Sequence, residues 1–81
     1  ELADNLTWRR SGIKIQVINP TKVVMNFNEI SVNGKNLEDV TYVLPGASAR
    51  FDLPKGITGE TVTFKIINDY GGVGKAHNAS L

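Results

Sequence analysis

Thr61-Val62-Thr63-Phe64-Lys65-Ile66 is the stretch whose reading decides the fold. Val62, Phe64 and Ile66 alternate with Thr61, Thr63 and Lys65, so a strand lays three apolar side chains on one face and three polar ones on the other. β-branched and aromatic residues fit a pleated, half-buried surface, and this run contains little else. Ile67 follows, and then Asn68-Asp69-Tyr70-Gly71-Gly72 breaks the pattern. Upstream, Ala47, Ala49, Phe51 and Leu53 alternate with Ser48, Arg50 and Asp52 in a second half-buried strand. Pro45-Gly46 bounds it on one side, and Pro54-Lys55-Gly56 with Thr58-Gly59 on the other.

The same period of two continues toward the N-terminus. Ile13-Lys14-Ile15-Gln16-Val17 puts three branched side chains on one face, and Asn19-Pro20-Thr21 stops the strand, since proline cannot donate to a ladder. Residues 23–32 alternate as Val23, Met25, Phe27 and then as Ile30, Val32. The step of three from Phe27 to Ile30 requires a bulge near Asn28-Glu29 if both are to face inward. Asn33-Gly34 is the strongest hairpin signal in the chain and predicts a return strand over residues 36–44. A first strand is expected over residues 6–9 and a last one around residues 75–79. No stretch keeps i, i+3, i+4, i+7 apolar spacing, so no substantial helix is expected. Short strands with a turn signal every eight to twelve residues or so describe an all-β sandwich or small barrel. There is no internal repeat.

Composition narrows the function. Eighty-one residues make one domain. Nine basic and eight acidic residues leave a net charge of +1, which argues against a nucleic-acid binder and offers no polybasic run for a membrane surface. There is no cysteine, hence no disulfide, thiolate metal site or thiol nucleophile. No apolar run approaches the ~18 residues of a membrane span, so no membrane insertion is expected. Glu1-Leu2-Ala3-Asp4-Asn5 reads as a linker, with the domain over residues 6–81. The chain is read as a fragment or isolated domain, with any export signal lying outside it.

Candidate chemistry is sparse. His77 is the single histidine and, so near the C-terminus, is read as solvent-exposed rather than catalytic. One histidine without cysteine does not make a metal site. Glu38-Asp39 reads as solvated surface. Gly71-Gly72-x-Gly74 would need a following helix to cradle phosphate, so it reads as a loop requiring positive φ. Trp8-Arg9-Arg10 could stack on bases, but two arginines are few, and Trp8 packing on the sandwich edge is the better reading. Asn5-Leu6-Thr7 and Asn78-Ala79-Ser80 match a glycosylation pattern that matters only in a eukaryotic secretory pathway. Asp69 reads either as a turn residue bonding its own backbone or as half of an ion pair across an interface. No catalytic residue, metal or cofactor is expected.

Several of these segments together resemble a family. Trp8-Arg9-Arg10-Ser11-Gly12, Asn19-Pro20-Thr21, Leu44-Pro45-Gly46 and above all Ile67-Asn68-Asp69-Tyr70-Gly71-Gly72 are similar, in order and spacing, to the second domain of PapD-like periplasmic chaperones of chaperone–usher pili. The resemblance spans residues 6–72. It implies an immunoglobulin-like β-sandwich of about seven short antiparallel strands. It also implies a missing N-terminal chaperone domain, pilus subunits as partners, delivery to an outer-membrane usher, and residence in the periplasm. It implies that Asp69 takes part in a salt bridge between the two domains. Cleft or pilin contacts are then expected from Met25, Phe27, Ile67 and the loops at that end. Where the family continues after Asn-Pro-Thr with proline and aromatic residues, this chain has Lys22-Val23-Val24, which bears on the loop's shape and on any pilin contact there. The alternative is an immunoglobulin-like structural domain of a pilus subunit, adhesin or other surface protein. A carbohydrate-binding module or small enzyme would need an aromatic platform or carboxylate pair that is not visible.

Overall fold

The structure, a computed structural model, describes residues 2–81. Eight strands follow a short 3-10 turn at Leu2–Asn5: β1 (Thr7–Ser11), β2 (Lys14–Ile18), β3 (Met25–Val32), β4 (Lys35–Asn36), β5 (Tyr42–Val43), β6 (Ser48–Asp52), β7 (Thr61–Ile67) and β8 (His77–Ser80). They form two antiparallel sheets. One has the order β1-β2-β6; the other runs β4-β3-β7-β8, with β5 pairing further along β3. Ile15 and Val17 from the first sheet and Ile30, Val32, Val62 and Phe64 from the second are fully buried between them. Those are the alternate positions of β2, β3 and β7 that the period of two assigns to one face.

The expected kink in β3 is present. Phe27 pairs with Ile66, and the next pair is Glu29 with Lys65, so Asn28 is the extra residue of a bulge. One inserted residue shifts the parity of the strand and lets Phe27 and Ile30, three apart, both face inward. The Asn33-Gly34 hairpin is also present. Both residues have positive φ, 51° and 78°, as a two-residue turn of the type matched to strand twist requires.

Other expectations are corrected. The return strand over 36–44 is two short pieces, because Glu38-Asp39 leaves the ladder and Asp39 adopts φ 56°. Leu37 N–H still reaches the Ile30 carbonyl at 2.8 Å, and Leu37 is buried. Ile13 does not join Ile15 and Val17. Ser11 pairs with Lys14, so Gly12-Ile13 is the tip of a hairpin and Ile13 is 79% exposed. Val23 precedes the strand and is exposed. Residues 2–5, expected within a linker, turn back onto the sandwich and bury Ala3.

Two aromatic-ring placements also differ from expectation. His77 is not in solvent: it is 6% exposed, pairs across the ladder with Phe64 and stacks on its ring at 5.3 Å and 20°. Adding β8 to the edge of β7 places position 77 on the inward face, which overrides its closeness to the chain end. Trp8 is not an edge residue. It lies between the sheets, 4.8 Å from Phe64 and 5.5 Å from Phe27, and Phe27 meets Phe51 edge-on at 5.9 Å. Tilted and edge-to-face rings add a favourable quadrupole term to the area they bury.

The Trp8 indole nitrogen is buried without a hydrogen-bond acceptor. Nothing directional is therefore lost when it is removed. Trp8→Phe is expected to destabilise by only about 1–2 kcal/mol, against about 3–5 kcal/mol for Trp8→Ala. Urea unfolding followed by circular dichroism checks this, and equal losses for the two variants would contradict it.

Candidate functional site

β7 ends at Ile67, and Asn68 closes the loop beyond it. Its backbone N–H donates to the Gly72 carbonyl at 2.8 Å, and its own carbonyl accepts from Gly71 N–H at 3.0 Å. Its side-chain Oδ1 accepts from Tyr70 N–H and Gly72 N–H, both at 2.9 Å. Asparagine suits this because its short side chain imitates a backbone turn. Gly71 has φ 80°, where a side chain would be strained. A Cβ at Gly72 would stand 3.0 Å from the Asn68 amide. Gly74 N–H then donates to the Ile66 carbonyl at 3.0 Å, and Val73 pairs with Ile67.

This tied loop sets Asp69 and Tyr70 outward; Tyr70 is 97% exposed. No cation among the described residues lies within ion-pair distance of Asp69. The turn reading of this sequence falls on its neighbour, since Asn68 makes the bonds.

Asp69 stands at the rim of a groove of about 520 Å³. Its walls are Leu2 and Ala3 from the 3-10 turn, Val23, Val24 and Met25 entering β3, and Ile66 to Asp69 leaving β7. The 20–24 loop is held by Asn19, which is completely buried. The Asn19 Nδ2 group donates to the carbonyls of Val23 at 2.8 Å, Leu44 at 3.2 Å and Val43 at 3.3 Å. Asn19 Oδ1 accepts from Thr21 N–H at 3.0 Å and from the Thr21 hydroxyl at 2.6 Å. The Asn19 backbone donates to Ala47 and accepts from Gly46, each at 2.8 Å. Both polar atoms of the buried Asn19 side chain are thereby paired, as burial demands. Lys22-Val23-Val24 thus occupies a fixed loop, and its two valines present apolar surface to the groove.

A row of side chains crosses the outer face of the larger sheet beside this groove. Tyr42 pairs with Asn26, Asn26 with Ile67, and Ile67 with Val73. Directly paired residues share a face, and their strand neighbours Val43, Met25 and Phe27 are buried on the other. Tyr42 and Val73 are half exposed, as is Leu44 just beyond β5. Apolar surface is therefore concentrated at the end of the sheet that carries Asp69.

The sequence-based candidates divide accordingly. Ile67 lies in the row and borders the groove, next to Asp69. Met25 is buried but borders the groove. Phe27 lies inside the sandwich at 4% exposure and belongs to the core; the outward residue of that segment is Asn26. Tyr42, Val73 and Leu2 were missed. Each lies in a different segment of the chain, and only strand register and the folded-back turn bring them together. Elsewhere, Glu38, Asp39 and Asp52 border a separate depression, but no group of metal-ligating side chains converges among the described residues. Nor is any described helix long and apolar enough to cross a membrane.

The fold is a two-sheet antiparallel sandwich, and its groove is walled by Leu2, Val23, Val24, Met25 and Ile67 with Asp69 at the rim. The chain belongs to the family of the C-terminal domain of the pili assembly chaperone PapD, whose family model matches residues 1–78. It is 35% identical over its whole length to the chaperone protein caf1M of Yersinia pestis and 30% identical to the chaperone protein AggD of Escherichia coli. It spans 31% and 32% of the length of those two proteins. Among solved structures it is similar to a chain in the Salmonella enterica SafA pilin–SafB chaperone complex, with a TM-score of 0.92, 31% identity and coverage of 99% of this chain and 38% of that one. The E. coli chaperone DraB matches with a TM-score of 0.88 and 34% identity, covering 99% of this chain and 39% of that one. These relatives do not favour the alternative of a structural domain from a pilus subunit or adhesin.

Proposed function

We propose that this chain is the second domain of a periplasmic chaperone that binds pilus subunits and holds them for assembly at an outer-membrane usher. The observation that carries the reading is the pairing of family membership with the groove and the partly exposed row Tyr42, Asn26, Ile67 and Val73 at the end of the sheet marked by Asp69. A first domain, for which relatives about three times as long as this chain leave room, is expected to dock at that end. There Asp69 would meet a cation of the first domain in a salt bridge that fixes the angle between the two. The row through Ile67 and Tyr42 would then face the cleft where a pilin lies, adding apolar contact to main-chain pairing made elsewhere. No step of this role calls for catalysis, a metal or a cofactor.

The test is retention of pilin by the full-length, two-domain protein. Asp69→Ala is expected to change the interdomain orientation measured by small-angle scattering and to lower pilin co-purification several-fold, because it leaves the opposing cation unpaired. Tyr42→Ala and Ile67→Ala are each expected to weaken retention by about tenfold, as truncating a buried apolar anchor does, without moving the domains. Unchanged retention in all three variants would refute the docking role of this end.

A further inference from the structure

His77 joins three elements. Its ring stacks on Phe64 of β7, which in turn packs on Trp8 of β1. Its Nδ1 atom lies 3.0 Å from Asp4 Oδ1 in the 3-10 turn, and the His77 side chain is 5% exposed. That turn is short and makes little structure of its own: Leu6 N–H reaches the Ala3 carbonyl only at 3.4 Å. Ala3 and Leu6 are buried against the sandwich, whereas Leu2 projects into the groove wall beside Val23. A four-residue turn cannot hold its place by helical hydrogen bonds, so its position depends on what it touches.

We propose that His77 is a positioning residue for the Asp69 groove: by bonding Asp4 it seats the N-terminal turn so that Leu2 and Ala3 complete the groove wall. The last strand of the sandwich thereby fixes the direction from which the chain enters it. The functional consequence rests on reading the groove as a docking surface; the seating itself does not.

Seating is measured on the chain alone by amide exchange and methyl NMR. His77→Phe keeps a ring on Phe64 and removes the bond to Asp4. It is expected to speed exchange at the Leu6 amide about tenfold, as local opening would, and to shift the Leu2 and Val23 methyl signals. Ile30 and Val62 amides are expected to keep their protection. His77→Gln, whose amide can still donate to Asp4, is expected to recover part of the Leu6 protection. In a chain already carrying Asp4→Ala, His77→Phe is expected to speed Leu6 exchange no further, because the bond it would remove is already gone and coupled residues are not additive. The proposal is overturned if Leu6 exchange is unchanged, if Ile30 and Val62 lose protection in the same proportion, or if the two effects add. Were His77→Phe not to fold, His77→Leu, which keeps apolar volume against Phe64 and makes no bond to Asp4, would take its place. Pilin retention that ignores Asp69 would sink the docking reading and leave the seating standing.

Discussion

Replacing Asn19 with alanine is expected to destabilise the domain by about 3 kcal/mol, lowering Tm by about 12–24 °C for a chain of this size. The side chain is completely buried and serves both sides of its amide. Without Nδ2, the Val43 carbonyl loses this donor in a buried site, and those of Val23 and Leu44 lose it in part-buried ones. An unsatisfied buried polar group costs its desolvation, which exceeds the net value of the bond it made. Asn19→Asp is expected to be no better. A carboxylate can still accept from Thr21 but has no proton to give, and sets negative charge against three carbonyl oxygens. Asn19→Ala is also expected to loosen the 20–24 loop, so that Val23 and Val24 signals broaden while those of β6 do not. Thermal unfolding decides the first part, and a loss below about 1 kcal/mol would mean that water replaces the amide at little cost.

Phe64→Ala is expected to have a larger effect, about 3–5 kcal/mol, because it removes the ring at the centre of the aromatic cluster. Phe64 is 1% exposed and packs against Trp8, Phe27 and His77 together. A domain of 81 residues has a total stability on the order of 4–12 kcal/mol, so this one change removes a large share of it. Phe64→Leu, which keeps much of the volume, is expected to lose about half as much. Equilibrium urea unfolding separates the two. A Phe64→Ala loss under 2 kcal/mol would show that the two sheets close over the cavity, against the close packing that the ring distances imply.

The family motifs in this chain mark positions that do backbone work. Asn19 and Asn68 each gather several hydrogen bonds from a loop, and Gly71 and Gly72 supply conformations or clearances that a side chain would deny. Their combined spacing is therefore readable without coordinates. The bulge at Asn28 was readable for a similar reason. The apolar pattern slips by one residue between Phe27 and Ile30, and a slip in a strand has one physical remedy.

Sequence by itself determined that this chain is an all-β sandwich or small barrel, where most of its strands run, where β3 must bulge and which loop carries Asp69, because alternation and turn chemistry are local properties of consecutive residues. Tertiary structure decided the rest. It put Trp8 and His77 inside, sent Ile13 out to a hairpin tip and split the strand predicted after Asn33-Gly34. It also assembled Tyr42, Ile67 and Val73 into one row and folded residues 2–5 back to make a groove wall. Each of those outcomes depends on which strand lies beside which and in what register. That is settled by burial between distant segments, to which no single stretch of the chain holds the answer.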